Sequence, residues 1–190
     1  MLPPDDPRRP LLALLAAHPC ADDAEARDVA HIARFVAAHP DCFGKANPIA
    51  HITASAFVLD PAGRVLLTHH KKLARWLQLG GHSDPDEHDP AATALREATE
   101  ESGLADLRFH PATGRRPIDV DAHRIPARKA EAAHDHLDLR YALCTDHPAA
   151  ITLTDESHAL RWFTPAEIEA LDVDPAFRRA LAKVVALGRP

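Results

Sequence analysis

Three cysteines in 190 residues, Cys20, Cys42 and Cys144, are odd in number and widely spaced. That excludes a disulfide framework and suits a reducing cytoplasm, the location expected. None sits in a Cys-x-x-Cys pair, which argues against a thiolate zinc site. No apolar run approaches the roughly 20 residues that span a bilayer, so no membrane partner is expected. The apolar block Leu11 to Ala17 follows Asp5 and Asp6 and precedes no small-x-small cleavage site. It reads as an amphipathic helix and not as a secretion signal. Positive charge is short as well: 22 Lys and Arg stand against 28 Asp and Glu, a net charge of −6. This argues against a broad surface for DNA or RNA polymers. A small nucleotide is still allowed, because a metal ion neutralises phosphate locally. Internal repeats and low-complexity tracts are missing too.

What is there has the length of one domain with a real core. Residues 1–46 read as a helical segment packed on the body. In "DDAEARDVAHIARFVAAH", Asp22 is an N-cap, Glu25 completes a capping box, and Val29, Ile32, Ala33 and Val36 share one face. Residues 47–190 form the main body. "HITASAFVLD" and "RVLLTHH" read as a hairpin across the turn "DPAG", with Phe57, Val58, Leu66 and Leu67 in the core. "WLQLGG" reads as a strand, followed by strand candidates "LRFH", "RPIDVDAHRI", "HLDLRYALCT" and "ALRWF". Helices start at Asp89-Pro90 and end at Gly103, start at Thr164-Pro165 with Glu167 closing a capping box, and start again at Asp174-Pro175. Hairpins interleaved with a few helices predict an α+β sheet covered by helices.

One helix carries an unusual charge pattern. At about 100° per residue, Glu97, Glu100 and Glu101 fall within roughly a 100° sector near its C-terminus. Like charges at these spacings cost about 0.2–0.5 kcal/mol each, and the helix dipole adds to that. A solvated acidic face is the usual fate of such a run. A hard divalent cation, Mg2+ or Mn2+, would remove the penalty by bridging carboxylates to substrate phosphates. The other face, Ala91, Ala94, Leu95 and Ala98, is small enough for close approach to a sheet. Gly80 and Gly81, just before the helix, let backbone approach a ligand.

The stretch "GGHSDPDEHDPAATALREATEESGL" resembles the Nudix box. Gly81 and Glu87 match from the front, and Arg96, Glu97, Ala98, Glu100, Glu101, Gly103 and Leu104 from the back. Fourteen residues separate Gly81 from Arg96 where the pattern has thirteen, so counting back from Arg96 puts His88 in the glutamate's place. The segments "HITASAFVLD", "WLQLGGH", "PIDVDAHRIP", "HLDLRYAL" and "DESHALRWF" extend the likeness to a bacterial subgroup of Nudix hydrolases. The resemblance implies an α/β/α sandwich around a mixed sheet, here with added N-terminal helices. It implies Mg2+- or Mn2+-dependent hydrolysis of a pyrophosphate linkage in a nucleoside diphosphate derivative. It assigns the metal to Glu97, Glu100 and Glu101, with the Gly81 carbonyl joining them, and makes Arg96 the residue that orients the cluster. By the same resemblance Glu97 and Glu156 are both candidates for the general base. ADP-ribose, dinucleoside polyphosphates, nucleotide sugars, coenzyme A and oxidised nucleoside triphosphates are all open as substrates, and a homodimer is common in the family.

Two further groups stand out. Asp119, Asp121 and His123 alternate on one presumed strand, and His134, His136 and Asp138 on another. If the strands pair, all six share one face, as a second metal site, a polar wall gripping substrate, or a solvent-facing set. His82, next to the glycines, is a candidate substrate contact with His123 and His136. His69 and His70 read as ordinary strand-end residues, Trp76 and Trp162 as core or stacking surfaces, and Lys71, Lys72 and Arg75 as loop cations that could meet phosphate. Two other functions share this fold. A nucleotide-sensing module that binds without cleaving is disfavoured by the intact glutamates. An isopentenyl diphosphate isomerase needs a cysteine near the glycine–histidine stretch, and none is there.

Overall fold

The computed structural model describes residues 2–71, 74–128, 132–153 and 157–190. The elements are α1 (Arg8–Ala16), α2 (Asp23–Ala38), β1 (Ala50–Leu59), β2 (Val65–His70), β3 (Arg75–Leu77), β4 (Leu79–His82), α3 (Pro90–Ser102), β5 (Arg108–Phe109), β6 (Asp119–Ile125), β7 (His134–Cys144), β8 (Ser157–Phe163), α4 (Pro165–Glu169) and α5 (Pro175–Leu187). Among the described residues, no helix is long and apolar enough to cross a membrane.

All the strands join one mixed sheet. β1 and β7 lie parallel at its centre, paired from Ala50↔Asp135 to Leu59↔Cys144. Every residue of β1 is buried, which is why it reads as a nearly unbroken run of small and apolar residues. The outer edge of β1 is shared. β4 takes the middle, from Thr53↔His82 to Ala56↔Leu79, and β2 takes only Val58↔Leu66 and Leu59↔Val65. The outer edge of β7 is divided in the same way between β6 and β5. β2 continues along β3 and β8.

Residue parity along β1 decides what each face of the sheet does. Ile52 and Ala54 face the helices α1 and α2, in a cluster with Leu11, Leu15, Ile32 and Val36. Ala56 and Val58 pack with Ala98 of α3 and with Leu104. Phe57 and Leu59 point the other way, onto Phe177, Leu181 and Val184 of α5. Helices therefore cover both faces, and the sandwich is that of an α/β protein. The α5 cluster covers only the later half of β1. The earlier residues of that face, His51, Thr53 and Ser55, are polar; Thr53 and Ser55 line a cleft, with His51 buried beside them.

Most of the predicted caps form. Asp22 accepts from the Glu25 amide, Asp89 from the Ala91 amide and Asp174 from the Phe177 amide, while Thr164 and Glu167 make a full capping box. Gly103 ends α3 at φ +71°. Three expectations need correction. "WLQLGG" is two strands, β3 on β2 and β4 on β1, because the chain changes partner at Gln78, whose side chain donates to Ser55. "LRFH" shrinks to the two residues of β5. Glu25 does not close a capping box on Asp22. It is fully buried and accepts from the Ala21 and Val120 amides and from Lys183 of α5 (2.5 Å), with His18 at 2.7 Å.

That arrangement ties α2 to β6 and α5, and it predicts an acid-sensitive fold. Burial raises the Glu25 pKa, but the His18, Ala21 and Lys183 contacts outweigh it and hold the carboxyl well below its ordinary 4.5. A depressed carboxylate contributes stability that is complete above the unfolded pKa and declines as pH falls towards the folded value. In urea unfolding, the stability gap between wild type and Glu25→Gln is expected to be widest at neutral pH. It should narrow steadily below about pH 4.5. A gap independent of pH would refute this role.

Candidate active site

The cleft of about 1130 Å³ lies where α3 meets β4 and the polar half of the β1–β7–β6 face. Its acidic wall is organised by one guanidinium. Arg96 donates from Nη1 to Glu97 (3.0 Å) and Glu100 (3.1 Å), and from Nη2 to Glu87 (2.9 Å) and the His82 carbonyl (2.8 Å). Asp84 lies 3.5 Å from its Nε. Burial opposes the charge on Arg96, yet Glu87 and Glu97 hold its pKa above the ordinary range. For Glu87 burial works upward, and the hydrogen bond from Arg96 prevails to lower its pKa. Of the two neighbours that the box spacing offers, Glu87 reaches Arg96 from the turn where its amide bonds the Asp84 carbonyl, while His88 packs edge-on to Phe43.

Glu101, one turn on from Glu97, is nearly buried and accepts from the Gly80 amide at 3.0 Å. Gly80 has φ +150°, and a Cβ there would lie 2.5 Å from the backbone of Ala54 and Ser55. Gly81 meets the carboxylate of Glu97: a Cβ would sit 2.6 Å from it. Only glycine leaves that space, so β4 and α3 form a cradle of oxygen donors. Three glutamates and an aspartate face the Arg96 guanidinium, with Glu101 beside them on the Gly80 amide, and the excess negative charge fits a hard divalent cation such as Mg2+ or Mn2+. The Gly81→Ala variant should separate function from stability. The clash falls on the flexible end of Glu97, so the melting temperature is expected to change little, while Glu97 is displaced from Arg96 and turnover falls at least about tenfold. Wild-type turnover in this variant would contradict the account.

The second wall is imidazole-rich. β6 and β7 do pair, with Asp119↔Arg140, Asp121↔Asp138 and His123↔His136 in register. The six alternating residues share a face, but it is neither a solvent-facing set nor a six-ligand site. Arg140, fully enclosed, donates to Asp121 (2.8 Å), Asp138 (3.2 Å) and Asp119 (3.4 Å). Asp119 also receives Arg179 of α5, and Asp138 accepts from Thr53 and Ser55. The carboxylates are thus committed to cations and hydroxyls. The histidines are left: His123 on Asp121 at 2.8 Å, His134 on the Ala132 carbonyl, and His136 against His82. Burial, then neighbouring His51 and Lys45, push the His82 pKa down to about 4. Burial, then His82 and His123, push that of His136 to about 2. Both rings are neutral at ordinary pH.

The cleft therefore brings together Arg96, Glu97, Glu100, Glu101 and Gly81 on one side with His82, His123 and His136 on the other. Glu156 and Lys72 lie outside the described residues. Arg75 turns away and bonds Asp172. His69 packs edge-on to Trp76, which meets Phe163 edge-on in turn, and the Trp162 indole donates to the Pro148 carbonyl, so both tryptophans serve packing. Sequence reasoning missed Lys45, which enters the cleft from the loop after α2, and His51, buried inside β1 directly opposite His136. The period-two alternation of β1 put His51 on the polar face; its partner across the sheet was not readable.

The NUDIX domain profile matches residues 50–184. Three solved structures share the fold at low identity. The Ap4A hydrolase of C. elegans in a binary complex is 18% identical, with 71% of this chain and 95% of that one covered at a TM-score of 0.55. The dihydroneopterin triphosphate pyrophosphohydrolase of E. coli is 17% identical, covering 71% and 95% at 0.55. A NUDIX-family hydrolase of Clostridium perfringens is 24% identical, covering 72% and 97% at 0.52. No curated protein matches the sequence. The matched span runs from the first residue of β1 into the last turns of α5 and includes the whole Arg96 cluster, so the chain belongs to the NUDIX domain family.

Proposed function

We propose that this protein hydrolyses a pyrophosphate linkage in a nucleoside diphosphate derivative, with Mg2+ or Mn2+ held by Glu97, Glu100 and Glu101 and the Gly81 carbonyl. The observation that carries this reading is the gathering of Glu87, Glu97 and Glu100 on Arg96 at the mouth of a cleft large enough for a nucleotide. A bound divalent ion supplies Lewis-acid chemistry, offsetting phosphate charge and making water a stronger acid. The chain's own residues do the rest. Arg96 fixes two carboxylates and is itself fixed by Glu87 and the His82 carbonyl, so the cluster is preorganised. The Gly80 amide holds Glu101 in place. Glu97, partly screened from solvent and seated on Gly81, is the proton acceptor favoured among the described residues. Lys45 is placed to meet phosphate, and His82, His123 and His136 form the wall against the rest of the substrate.

The test is a panel of ADP-ribose, dinucleoside polyphosphates, nucleotide sugars, coenzyme A and oxidised nucleoside triphosphates, with products separated by chromatography. One compound class should be cleaved between phosphorus atoms in Mg2+ or Mn2+. Chelation should abolish product and restored metal should return it. Tight nucleotide binding without product from any compound would instead favour a sensing module.

A further inference from the structure

We propose that His51, His82 and His136 form a second metal site, for a borderline-soft divalent ion of the zinc class, distinct from the carboxylate site on α3. The three residues come from three adjacent strands. His51 and His136 stand directly across from each other in the parallel β1–β7 pair, and His82 of β4 lies beside Thr53, two residues along β1 on the same face. One ligand nitrogen from each can be chosen so that all lie within 4.8 Å of one another. The His82 and His136 Nε2 atoms are 3.3 Å apart. Two nitrogens at about 2.0–2.1 Å from a tetrahedral zinc are separated by about 3.3–3.4 Å, so this pair already stands at the edge length of such a site. Ring centroids of 4.9 Å for His51–His82 and 5.0 Å for His51–His136 leave the third ligand a short rotation away.

The chemistry of the two donor sets separates them. Imidazole selects zinc, cobalt, nickel or copper, whereas the all-oxygen set on α3 selects magnesium or manganese. The aspartates that might have blurred this distinction, Asp119, Asp121 and Asp138, are engaged by Arg140. His51 is buried, while His82 and His136 line the cleft. Three protein ligands leave the fourth tetrahedral position directed into the cleft, where a water or an anionic oxygen of a ligand completes it.

Cobalt(II) titration of the full chain tests this without reference to turnover, and so separates it from the hydrolytic reading. Wild type is expected to bind one cobalt ion with the visible absorption bands of tetrahedral geometry. The Glu101→Gln variant should keep those bands. His82→Gln and His136→Gln should lose them and bind at least about 100-fold more weakly. Bands absent from wild type, unchanged in both histidine variants, or lost only with Glu101→Gln would overturn the assignment. Anomalous diffraction at the zinc edge from wild-type crystals soaked in zinc gives an answer independent of variant folding. A peak among the three rings supports the site, and a peak confined to the glutamates refutes it.

Discussion

Replacing Glu101 by Gln is expected to lower turnover by on the order of 10²–10³-fold, with the fold intact. The substitution is nearly isosteric. The amide oxygen still accepts from the Gly80 N–H, so the contact between α3 and β4 survives and the melting temperature should hold. What disappears is one negative charge from the carboxylate cradle that the proposed function assigns to a divalent cation. Glu100→Gln should behave alike for a different reason. That side chain is more than half exposed, so stability owes little to it, and its 3.1 Å contact with Arg96 serves to aim the carboxylate. Steady-state kinetics on the cleaved compound, with circular dichroism as the control for folding, check both. Wild-type rates in both variants would remove the metal-helix account.

The second large effect is on stability. Arg140→Met should destabilise the protein by about 3–5 kcal/mol in denaturant unfolding, because removing one partner leaves buried charge uncompensated. Without this guanidinium Asp121 is left with His123 and Asp138 with the Thr53 and Ser55 hydroxyls, whereas Asp119 retains the cations Arg179 and Lys183. Adding Asp121→Asn and Asp138→Asn to Arg140→Met should therefore recover part of the loss, since the stranded charges go with it. A cost under about 1 kcal/mol for Arg140→Met alone would mean that the network is solvated and that Asp138 does not anchor Thr53 and Ser55.

The division between legible and illegible features follows the range of the interactions. Helix caps are local: Asp89, Pro90 and Gly103 sit within one helix length, and their hydrogen bonds follow from that spacing. The grouping of Glu97, Glu100 and Glu101 is local in the same sense, because a 3.6-residue period places them together whatever the helix packs on. Glu25 misled for the opposite reason. Its spacing from Asp22 satisfies the capping-box pattern, but Lys183 lies 158 residues away, and a buried ion pair outcompetes a solvent-exposed reciprocal cap.

The sequence by itself determined the helix ends, the alternating strands and the acidic turn bracketed by glycines, all of which arise from contacts within a few residues. Only the tertiary structure decided that β1 lies beside β7, that Arg140 takes up the aspartates, and that His51 meets His82 and His136. The physical reason is register: strand pairing between segments some 85 residues apart is fixed by the packing of the whole sheet, and a one-residue slip would exchange the polar face for the apolar one.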